Sequence, residues 1–241
     1  MGDEKRGAVR VAAVVLAAGS SSRMSGRDKI YAPLAGRPLV YYGLALFEKC
    51  EEVEAVVAVA APGAEKKLRR LASDYGFDKV RAVVAGGAAR RDSATAGLTA
   101  AAALASADAA VLIHDAARPL ATGALVSCLL AALATADGAV PAVPLVDTVK
   151  QIGDDGAVES TPSRDALRAA QTPQAFKLAA VAEAYQAAAR ERWDVTDDAA
   201  AVERAGGRVV SVEGERDNFK ITFPEDLARA EAVLTLKKKG R

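Results

Sequence analysis

The sequence predicts an α/β fold: a mostly parallel sheet covered by helices on both faces, with a projecting β-hairpin arm. Two observations support this prediction. Short Val-rich apolar runs alternate with segments of helical periodicity along most of the chain. The alternation breaks once, after Pro144. Repeated strand–helix–strand units need right-handed crossovers, which place helices against both faces of a parallel sheet.

The first element is an apolar run that begins at Val11, too short for a membrane span and suited to a buried parallel strand. It ends in the small residues Ala17, Ala18, Gly19 and Ser20, and the cations Arg23 and Lys29 follow. Small residues let backbone N–H groups approach an anion closely. The segment therefore predicts a cradle for a triphosphate. The alternative is a buried strand followed by a solvated basic loop.

The first half of the chain continues the same alternation. Pro38 is tolerated in the first turn of a helix, and Thr122 can cap another. The patterns predict helices over residues 39–49, 64–75, 92–105 and 123–135. They predict strands over residues 53–60, 80–84, 109–113 and 138–143.

A hairpin pattern follows Pro144. Residues 148–151 and 157–160 flank a Gly-Asp-Asp-Gly turn, and no helical pattern covers them. A lone hairpin is only marginally stable in water. We therefore predict an arm at about residues 146–168 that pairs with a second copy of the chain. The alternative is a surface hairpin folded back on its own domain.

The alternation then resumes to the end of the chain. Strands are predicted over residues 170–176, 208–212 and 218–222. Helices are predicted over residues 178–192 and 196–205 and from residue 223 onward, before a solvated Lys-rich tail. Since there is neither a repeat nor a long linker, residues 1–241 are predicted to form one domain with an arm.

Composition narrows the class of protein. A net charge of +1 gives no broad attraction to nucleic acid, so positive charge for a ligand must be concentrated locally. The two cysteines, Cys50 and Cys128, form neither a disulfide framework nor a zinc pattern, which indicates a reducing compartment. The first residues lack the apolar core of a signal peptide, and Asp108 interrupts the longest Ala-rich run. We predict a cytoplasmic protein with no nucleic-acid or membrane partner.

Polar clusters follow four of the predicted strands, and ligands of open parallel sheets bind outside the carboxyl ends of strands. The clusters are residues 19–29, 86–93, 114–119 and 217–222. No G-x-G-x-x-G, G-x-x-x-x-G-K-[ST] or G-x-S-x-G motif occurs, which disfavours a dinucleotide dehydrogenase, a P-loop NTPase and an α/β-hydrolase. The remaining inventory suits chemistry on a polyphosphate.

Individual residues of these clusters allow two interpretations each. Asp115, at the end of an apolar strand, is either an oxygen ligand for Mg²⁺ or a structural aspartate that caps a helix or forms a turn. Arg118 either makes a bidentate hydrogen bond to a phosphate or forms a surface ion pair. His114, the only histidine, suits a structural hydrogen bond better than a general base. Gly86-Gly87 is either a turn or a loop whose backbone reads the edge of a base.

Together these motifs resemble a known family. LAAGSSSRM at residues 16–24 is similar to the signature that opens the nucleotidyltransferase fold. HDAARP at 114–119, Asp147-Thr148, Arg164, TPQ at 172–174, TDD at 196–198 and DNFKIT at 217–222 resemble the 2-C-methyl-D-erythritol 4-phosphate cytidylyltransferases of the non-mevalonate isoprenoid route. The resemblance covers about residues 11–236. It implies a Rossmann-like nucleotidyltransferase sheet and CMP transfer from CTP to that polyol phosphate, with release of pyrophosphate.

The resemblance also implies residue roles. CTP would contact Ala17, Ala18, Gly19, Ser20, Gly87, Ser93 and Arg118, with Gly87 and Ser93 reading cytosine. The catalytic residues would be Arg23, Lys29, Arg164 and Lys220. The sugar phosphate would be held by Thr148, Arg164, Thr196, Lys220 and Thr222. Asp115 would hold Mg²⁺, and Asp217 is a second candidate for the same ion. The protein would be a homodimer in which the arm is exchanged, so that Arg164 serves the other subunit's site.

Some positions depart from the family pattern. Asp28-Lys29-Ile30 replaces the usual Pro-Lys-Gln, and Asp28 should weaken the pull of Lys29 on phosphate. Ala85 and Ala88 stand where acidic residues are frequent, so selection of cytosine should depend more on backbone groups.

Three other functions compete. A cytidylyltransferase for another polyol phosphate, such as D-ribitol 5-phosphate, would share the CTP half of the site. A uridylyl- or guanylyltransferase that makes a nucleotide sugar would differ in the base. A catalytically silent nucleotide-binding regulator is disfavoured because Arg23, Lys29, Asp115 and Lys220 are all present.

Overall fold

The computed structural model describes residues 9–19 and 29–239. Its strands are β1 (Val9–Ala17), β2 (Pro33–Leu34), β3 (Arg37–Pro38), β4 (Ala55–Ala60), β5 (Val80–Ala85), β6 (Ala105–Asp115), β7 (Gly138–Pro144), β8 (Gln151–Ile152), β9 (Val158–Ser160), β10 (Arg168–Ala170), β11 (Gln174–Lys177) and β12 (Val209–Glu213). Its α-helices are α1 (Leu39–Lys49), α2 (Glu65–Asp74), α3 (Arg90–Ala102), α4 (Gly123–Ala132), α5 (Leu178–Arg190), α6 (Asp198–Arg204) and α7 (Pro224–Lys239).

A single eight-stranded sheet organises the fold. Its order is β10-β7-β11-β6-β1-β4-β5, and β12 also pairs with β7. The β6-β1-β4-β5 half is parallel throughout, whereas β11 runs antiparallel between β6 and β7. The expectation of a mostly parallel α/β sheet is therefore confirmed.

The central strands are buried on both faces, and alternate residues enter opposite layers of the core. In β1, Ala13 and Val15 pack with Leu44 of α1 and Leu129 of α4. Ala12 and Val14 pack with residues of α3 and α5 on the other face. This period-2 division explains why the strand reads as continuously apolar, and it confirms that helices cover both faces.

The parallel register brings several strand ends to one edge of the sheet. Leu16 of β1 pairs with Asp115 of β6, and Ala17 pairs with Ala60 of β4. Ala60 in turn pairs with Ala85 of β5. The loops that follow β1, β5 and β6 therefore leave the sheet side by side, as the sequence predicts for a ligand site.

Two predicted strands differ from the structure. The strand expected over residues 170–176 is divided into β10 and β11. Between them, the side chain of Gln171 donates to the carbonyl oxygen of Glu215, and the hydroxyl of Thr172 accepts from the N–H of Asp115 at the end of β6. The strand expected over residues 218–222 is wrong. Its buried Asn218 bonds to the backbone of Thr172, and Ile221 bonds to Ala117, so the segment joins two loops instead of entering a ladder.

The predicted hairpin is present as β8 paired with β9, in a two-stranded sheet of its own. Its turn contains Gly156 with a φ of +82°, the left-handed conformation that favours glycine. The apolar side chains of Val146, Ile152 and Val158 are 74, 54 and 58% exposed. The arm therefore exposes apolar side chains to solvent in one copy of the chain. Its pairing with a second copy stays a prediction.

Two further properties concern the described ranges. No helix within them is long and apolar enough to cross a bilayer. Cys50 is buried, Cys128 is exposed, and both are free thiols.

Candidate active site

A cleft of about 260 Å³ opens at the carboxyl edge of the parallel half of the sheet. Its walls include Ala18 and Gly19 after β1, residues 87–90 after β5 and Asp115 at the end of β6. The side chains of Lys29, Arg90 and Lys220 also reach it. All four predicted clusters therefore contribute described residues to the cleft. The first contributes Gly19 and Lys29, the second Gly87, the third Asp115 and the fourth Lys220.

Asp115 is the carboxylate of the cleft wall. Lys220 donates to its Oδ2 over 2.6 Å, and the Nε of Arg90 donates to its Oδ1 over 3.3 Å. Burial alone would raise the pKa of Asp115, but the charges of Arg90 and Lys220 hold that pKa well below its usual range. The carboxylate is therefore ionised at neutral pH, with a different cation on each oxygen.

Arg90 connects Asp115 to a buried anchor. Its two terminal nitrogens donate to both oxygens of Asp198 over 3.0 and 2.7 Å, and Tyr185 also donates to Asp198. Asp198 is fully buried. Burial would lower the pKa of Arg90, but the two carboxylates raise it, so the guanidinium remains charged. Arg90 lies within the predicted 86–93 cluster, but the sequence pattern gave no role in the site to Arg90, Asp198 or Tyr185.

His114 is completely buried behind Asp115. Its Nε2 lies 3.1 Å from the carbonyl oxygen of Arg118, which can only accept, so Nε2 carries the proton. Its Nδ1 therefore accepts from the hydroxyl of Thr172 over 3.1 Å, and that same hydroxyl accepts from the Asp115 N–H. Burial lowers the pKa of His114 to about 4. The histidine is a neutral, structural group, as the sequence indicated.

Lys29 reaches the cleft from a short 3₁₀ turn (Lys29–Tyr31). Its ammonium donates to the carbonyl oxygen of Ile221 over 3.0 Å. Lys29 thus contacts the 217–222 segment, which carries Lys220, although the two lysines lie far apart in the sequence. The predicted contributions of Ser20 and Arg23 lie outside the described residues.

The loop after β5 is fixed by hydrogen bonds to Ser93 and packs closely against its neighbours. The hydroxyl of Ser93 accepts from the Gly87 N–H over 3.2 Å and donates to the Ala89 carbonyl over 3.3 Å. A Cβ on Gly86 would stand 2.5 Å from the Cβ of Ala18, and one on Gly87 would stand 2.3 Å from the Cβ of Asp92. Positions 86 and 87 therefore require glycine, because neighbouring side chains leave no room for a Cβ. The hydrogen bonds of Ser93 fix the conformation of this loop beside the cleft.

Arg118 is not among the described residues that line this cleft, so its expected contact with phosphate stays a prediction. Its guanidinium donates to the carbonyl oxygen of Asn218 over 2.7 Å and to that of Ala170 over 3.4 Å. Arg118 thus joins the end of β10 to the DNFKIT segment.

The remaining predicted site residues lie away from the cleft in a single chain. Asp217 pairs with Lys237 of α7 over 3.4 Å and is not among the described residues that line the cleft, so its metal role stays a prediction. Thr148 and Thr196 are exposed. Arg164, in the arm, donates to the carbonyl oxygen of Val146. Thr222 lies two residues before α7, and its N–H donates to the carboxylate of Asp226 over 2.7 Å.

Known proteins match both the sequence and this fold. Residues 11–236 match the family of 2-C-methyl-D-erythritol 4-phosphate cytidylyltransferase, IspD. The chain belongs to this family. A cytidylyltransferase of that name from Rubrobacter xylanophilus is 44% identical over 230 residues, which cover 94% of this chain and 96% of the relative.

Two solved structures have the same architecture. A 4-diphosphocytidyl-2C-methyl-D-erythritol synthase from Anaerococcus prevotii superposes with a TM-score of 0.81 at 31% identity, covering 93% of this chain and 96% of the other. A 2-C-methyl-D-erythritol 4-phosphate cytidylyltransferase from Thermus thermophilus superposes with a TM-score of 0.75 at 34% identity, covering 92% and 98%. The IspD fold thus extends over almost the whole chain.

The cleft suits one magnesium ion bound together with phosphate. Mg²⁺ is commonly held by one or two carboxylates while substrate phosphates and water complete its shell. Asp115 supplies one ionised carboxylate at the cleft wall. The described residues contain no cluster of three or more His, Cys, Asp or Glu side chains that could hold a metal alone. The donor set therefore fits an ion that arrives with a nucleotide.

Proposed function

We propose that this protein transfers CMP from CTP to 2-C-methyl-D-erythritol 4-phosphate in isoprenoid precursor biosynthesis. The products are 4-diphosphocytidyl-2-C-methyl-D-erythritol and pyrophosphate. The observation that supports this most directly is the match to the cytidylyltransferase family over residues 11–236. Lys29, Asp115 and Lys220 around one cleft supply the charges that such a reaction needs.

The reaction requires positioned cations more than it requires a base. A phosphate oxygen of the acceptor attacks the α-phosphorus of CTP, the bond to the β-phosphate oxygen breaks, and pyrophosphate leaves with the bonding electron pair. Phosphate monoesters have a second pKa of about 6, so the attacking group is already mostly a dianion at neutral pH. The neutral, buried His114 has no proton to move in this scheme.

The two lysines bring the anions together. Lys29 and Lys220 stand at the rim where the phosphates would meet, and Arg23 follows the first loop in the sequence. Each ammonium donates to a protein oxygen, Lys29 to the carbonyl oxygen of Ile221 and Lys220 to the carboxylate of Asp115. Incoming phosphate oxygens would compete for these ammonium groups. Catalysis would then arise from positioning and from charge stabilisation at the transferred phosphoryl group.

Asp115 would hold Mg²⁺. That ion, when bound, neutralises charge on the triphosphate and orients it. The task of the chain is to keep the Asp115 carboxylate ionised and in place, which Arg90 and Lys220 do here.

The nucleotide would lie between the ends of β1 and β5. Ala18 and Gly19, which directly follow Ala17 at the end of β1, line one wall, and Gly87 and Ser93 line the other. Because Ser93 bonds to the Gly87 N–H, we expect it to influence base selection by fixing this loop. Arg118 would support the site from outside by holding the 217–222 segment.

The acceptor half would be completed by a second subunit. Arg164 and Thr148 belong to an arm whose apolar residues are exposed in one chain, and Lys220 and Thr222 come from the body. A homodimer that exchanges this arm would cover the apolar surface and bring Arg164 to the other subunit's Lys220. Thr196, on the exposed loop before α6, is the remaining proposed contact. We also propose a cytoplasmic location, where CTP is present.

The decisive experiment measures pyrophosphate release by the purified protein with Mg²⁺. The nucleotides are CTP, UTP and GTP, and the acceptors are 2-C-methyl-D-erythritol 4-phosphate and D-ribitol 5-phosphate. We expect rapid release only with CTP and the erythritol phosphate. Faster turnover of the ribitol phosphate, or of UTP or GTP, would change the assigned substrate. No release with any pair would favour a nucleotide-binding regulator.

A further inference from the structure

Four side chains form an alternating chain of charges that runs from the core into the cleft. Its order is Asp198, Arg90, Asp115 and Lys220, with contacts of 2.7 Å, 3.3 Å and 2.6 Å between successive members. The inner end is buried and the outer end is partly exposed: Asp198 has no exposed surface, whereas the Lys220 side chain is 42% exposed. Tyr185 donates an additional bond to Asp198.

The two cations on Asp115 are held very differently. Arg90 makes a bidentate contact with Asp198, so its guanidinium stays in place independently of Asp115. The ammonium of Lys220 has Asp115 as its one hydrogen-bond partner within the described part of the chain. Lys220 can therefore leave when phosphate enters, and Arg90 cannot follow it.

We propose that Arg90 is a positioning residue that occupies Oδ1 of Asp115 and presents Oδ2 alone to an incoming divalent cation. The proposal rests on the proposed function, since it assigns Asp115 to the metal of that same reaction. Asp198 and Tyr185 act through Arg90 and have no direct contact with substrate. With Oδ1 occupied, Asp115 offers one oxygen, which suits the strict octahedral shell of Mg²⁺ and disfavours the larger, bidentate shell of Ca²⁺.

The test is a matched pair of variants that separates positioning from folding. Arg90→Gln/Asp198→Asn removes both charges of the anchored pair, so no buried carboxylate is left unpaired. Arg91→Gln is the control, because Arg91 is the next residue of α3 and bonds to Trp193 at the surface side. Thermal unfolding reports the fold. Manganese bound in the presence of CTP is followed by its paramagnetic resonance, and Mg²⁺ or Ca²⁺ is added to displace it.

We expect the double variant to fold, to lose roughly 10–100-fold in kcat, and to shift the ratio of Ca²⁺ to Mg²⁺ affinity roughly tenfold toward Ca²⁺. The ratio is the informative quantity, because loss of the Arg90 charge affects both dications equally. Arg91→Gln should leave the ratio and kcat at wild-type values. Arg90→Lys keeps the positive charge, but an ammonium group cannot make hydrogen bonds to both carboxylates in the way the planar guanidinium does, so it should shift the ratio in the same direction. This variant replaces the double variant if the latter does not fold.

An unchanged affinity ratio in the folded double variant, or in Arg90→Lys, would overturn the proposal and leave Arg90 as a purely structural link between α3 and α6. This outcome differs from failure of the proposed function. If the wild-type protein released no pyrophosphate, the enzymatic assignment would fail, whereas displacement of manganese would still report whether Arg90 controls the cation.

Discussion

The guanidinium of Arg118 donates to the carbonyl oxygen of Asn218 over 2.7 Å, and thereby joins two loops that are 100 residues apart in the sequence. The same side chain also contacts the carbonyl oxygen of Ala170. Lys220 lies two residues beyond Asn218 and depends on this segment for its place at Asp115. Arg118 therefore acts on the cleft through the loop that carries Lys220.

Replacement of Arg118 by methionine should weaken this loop. The carbonyl oxygens of Asn218 and Ala170 would lose their donors, which costs about 1–3 kcal/mol of stability. Lys220 should become less well placed, so kcat should fall while the melting temperature also falls. A variant that loses affinity for CTP at an unchanged melting temperature would instead support the phosphate-binding role that the sequence suggested.

The close approach of Gly86 to Ala18 predicts a sensitive point in nucleotide binding. In Gly86→Ala the new methyl group would lie 2.5 Å from the Cβ of Ala18, so the β1 and β5 loops must separate. We expect KM for CTP to rise roughly tenfold, because small displacements in a binding site are costly. Gly123→Ala is the matched control: it has open space around its Cβ at the start of α4 and should be neutral. Equal KM values for both variants would contradict the prediction.

The burial of His114 predicts a pH dependence of stability. Its pKa is lowered to about 4 in the folded chain and lies near 6.5 when unfolded, so the unfolded chain binds more protons between these values. The free energy of unfolding should be highest above pH 6.5 and fall by the order of 3 kcal/mol toward pH 4. Asp115, whose pKa is also lowered, stabilises the folded chain at pH values above its unfolded pKa of about 3.9. This contribution is lost only when the pH falls further.

Chemical denaturation of the wild type and of His114→Gln across this pH range checks the prediction. The variant should be less stable overall, since it loses the bonds to Thr172 and Arg118. Its stability should nevertheless depend less on pH between 6.5 and 4. Parallel curves for the two proteins would show that His114 does not titrate as its burial indicates.

Asp115→Asn should raise the magnesium concentration needed for half-maximal activity roughly tenfold or more. The amide keeps the shape of the side chain but removes the negative charge that a hard cation needs. Asp137→Asn, at an ion pair with Lys177 elsewhere on the surface, is the control and should follow the wild-type titration. An unchanged magnesium titration in folded Asp115→Asn would remove Asp115 from the metal role.

Arm exchange predicts complementation between inactive subunits. In a mixed dimer of Arg164→Ala and Lys220→Ala chains, one site would have Lys220 of its own chain and Arg164 of the other. Random mixing should therefore restore roughly a quarter of the wild-type activity. The measurement is pyrophosphate release after the two variants are unfolded and refolded together. Absence of recovery in verified mixed dimers would mean that Arg164 serves its own chain.

The sequence by itself determined the layered architecture and the edge where the site lies. Apolar runs of strand length, separated by helical periodicity, permit few arrangements other than a covered parallel sheet, and the polar residues after β1, β5 and β6 then share one edge. Lys29, Gly87 and Asp115 were predicted for this reason and do border one cleft, and Lys220, from the fourth polar cluster, borders it too. Local pattern also determined the cap at Thr122 and the hairpin turn.

Only the tertiary structure decided what each charged side chain contacts. Arg118 turns to carbonyl oxygens, Arg90 reaches Asp198 across 108 positions, and Asp217 pairs with Lys237. Residues 218–222 read as a strand but bond to loops. The physical reason is that periodicity reports which residues are buried along one element. The partner of a long side chain depends on which distant loops leave unpaired donors and acceptors within its reach, and that depends on the packed fold.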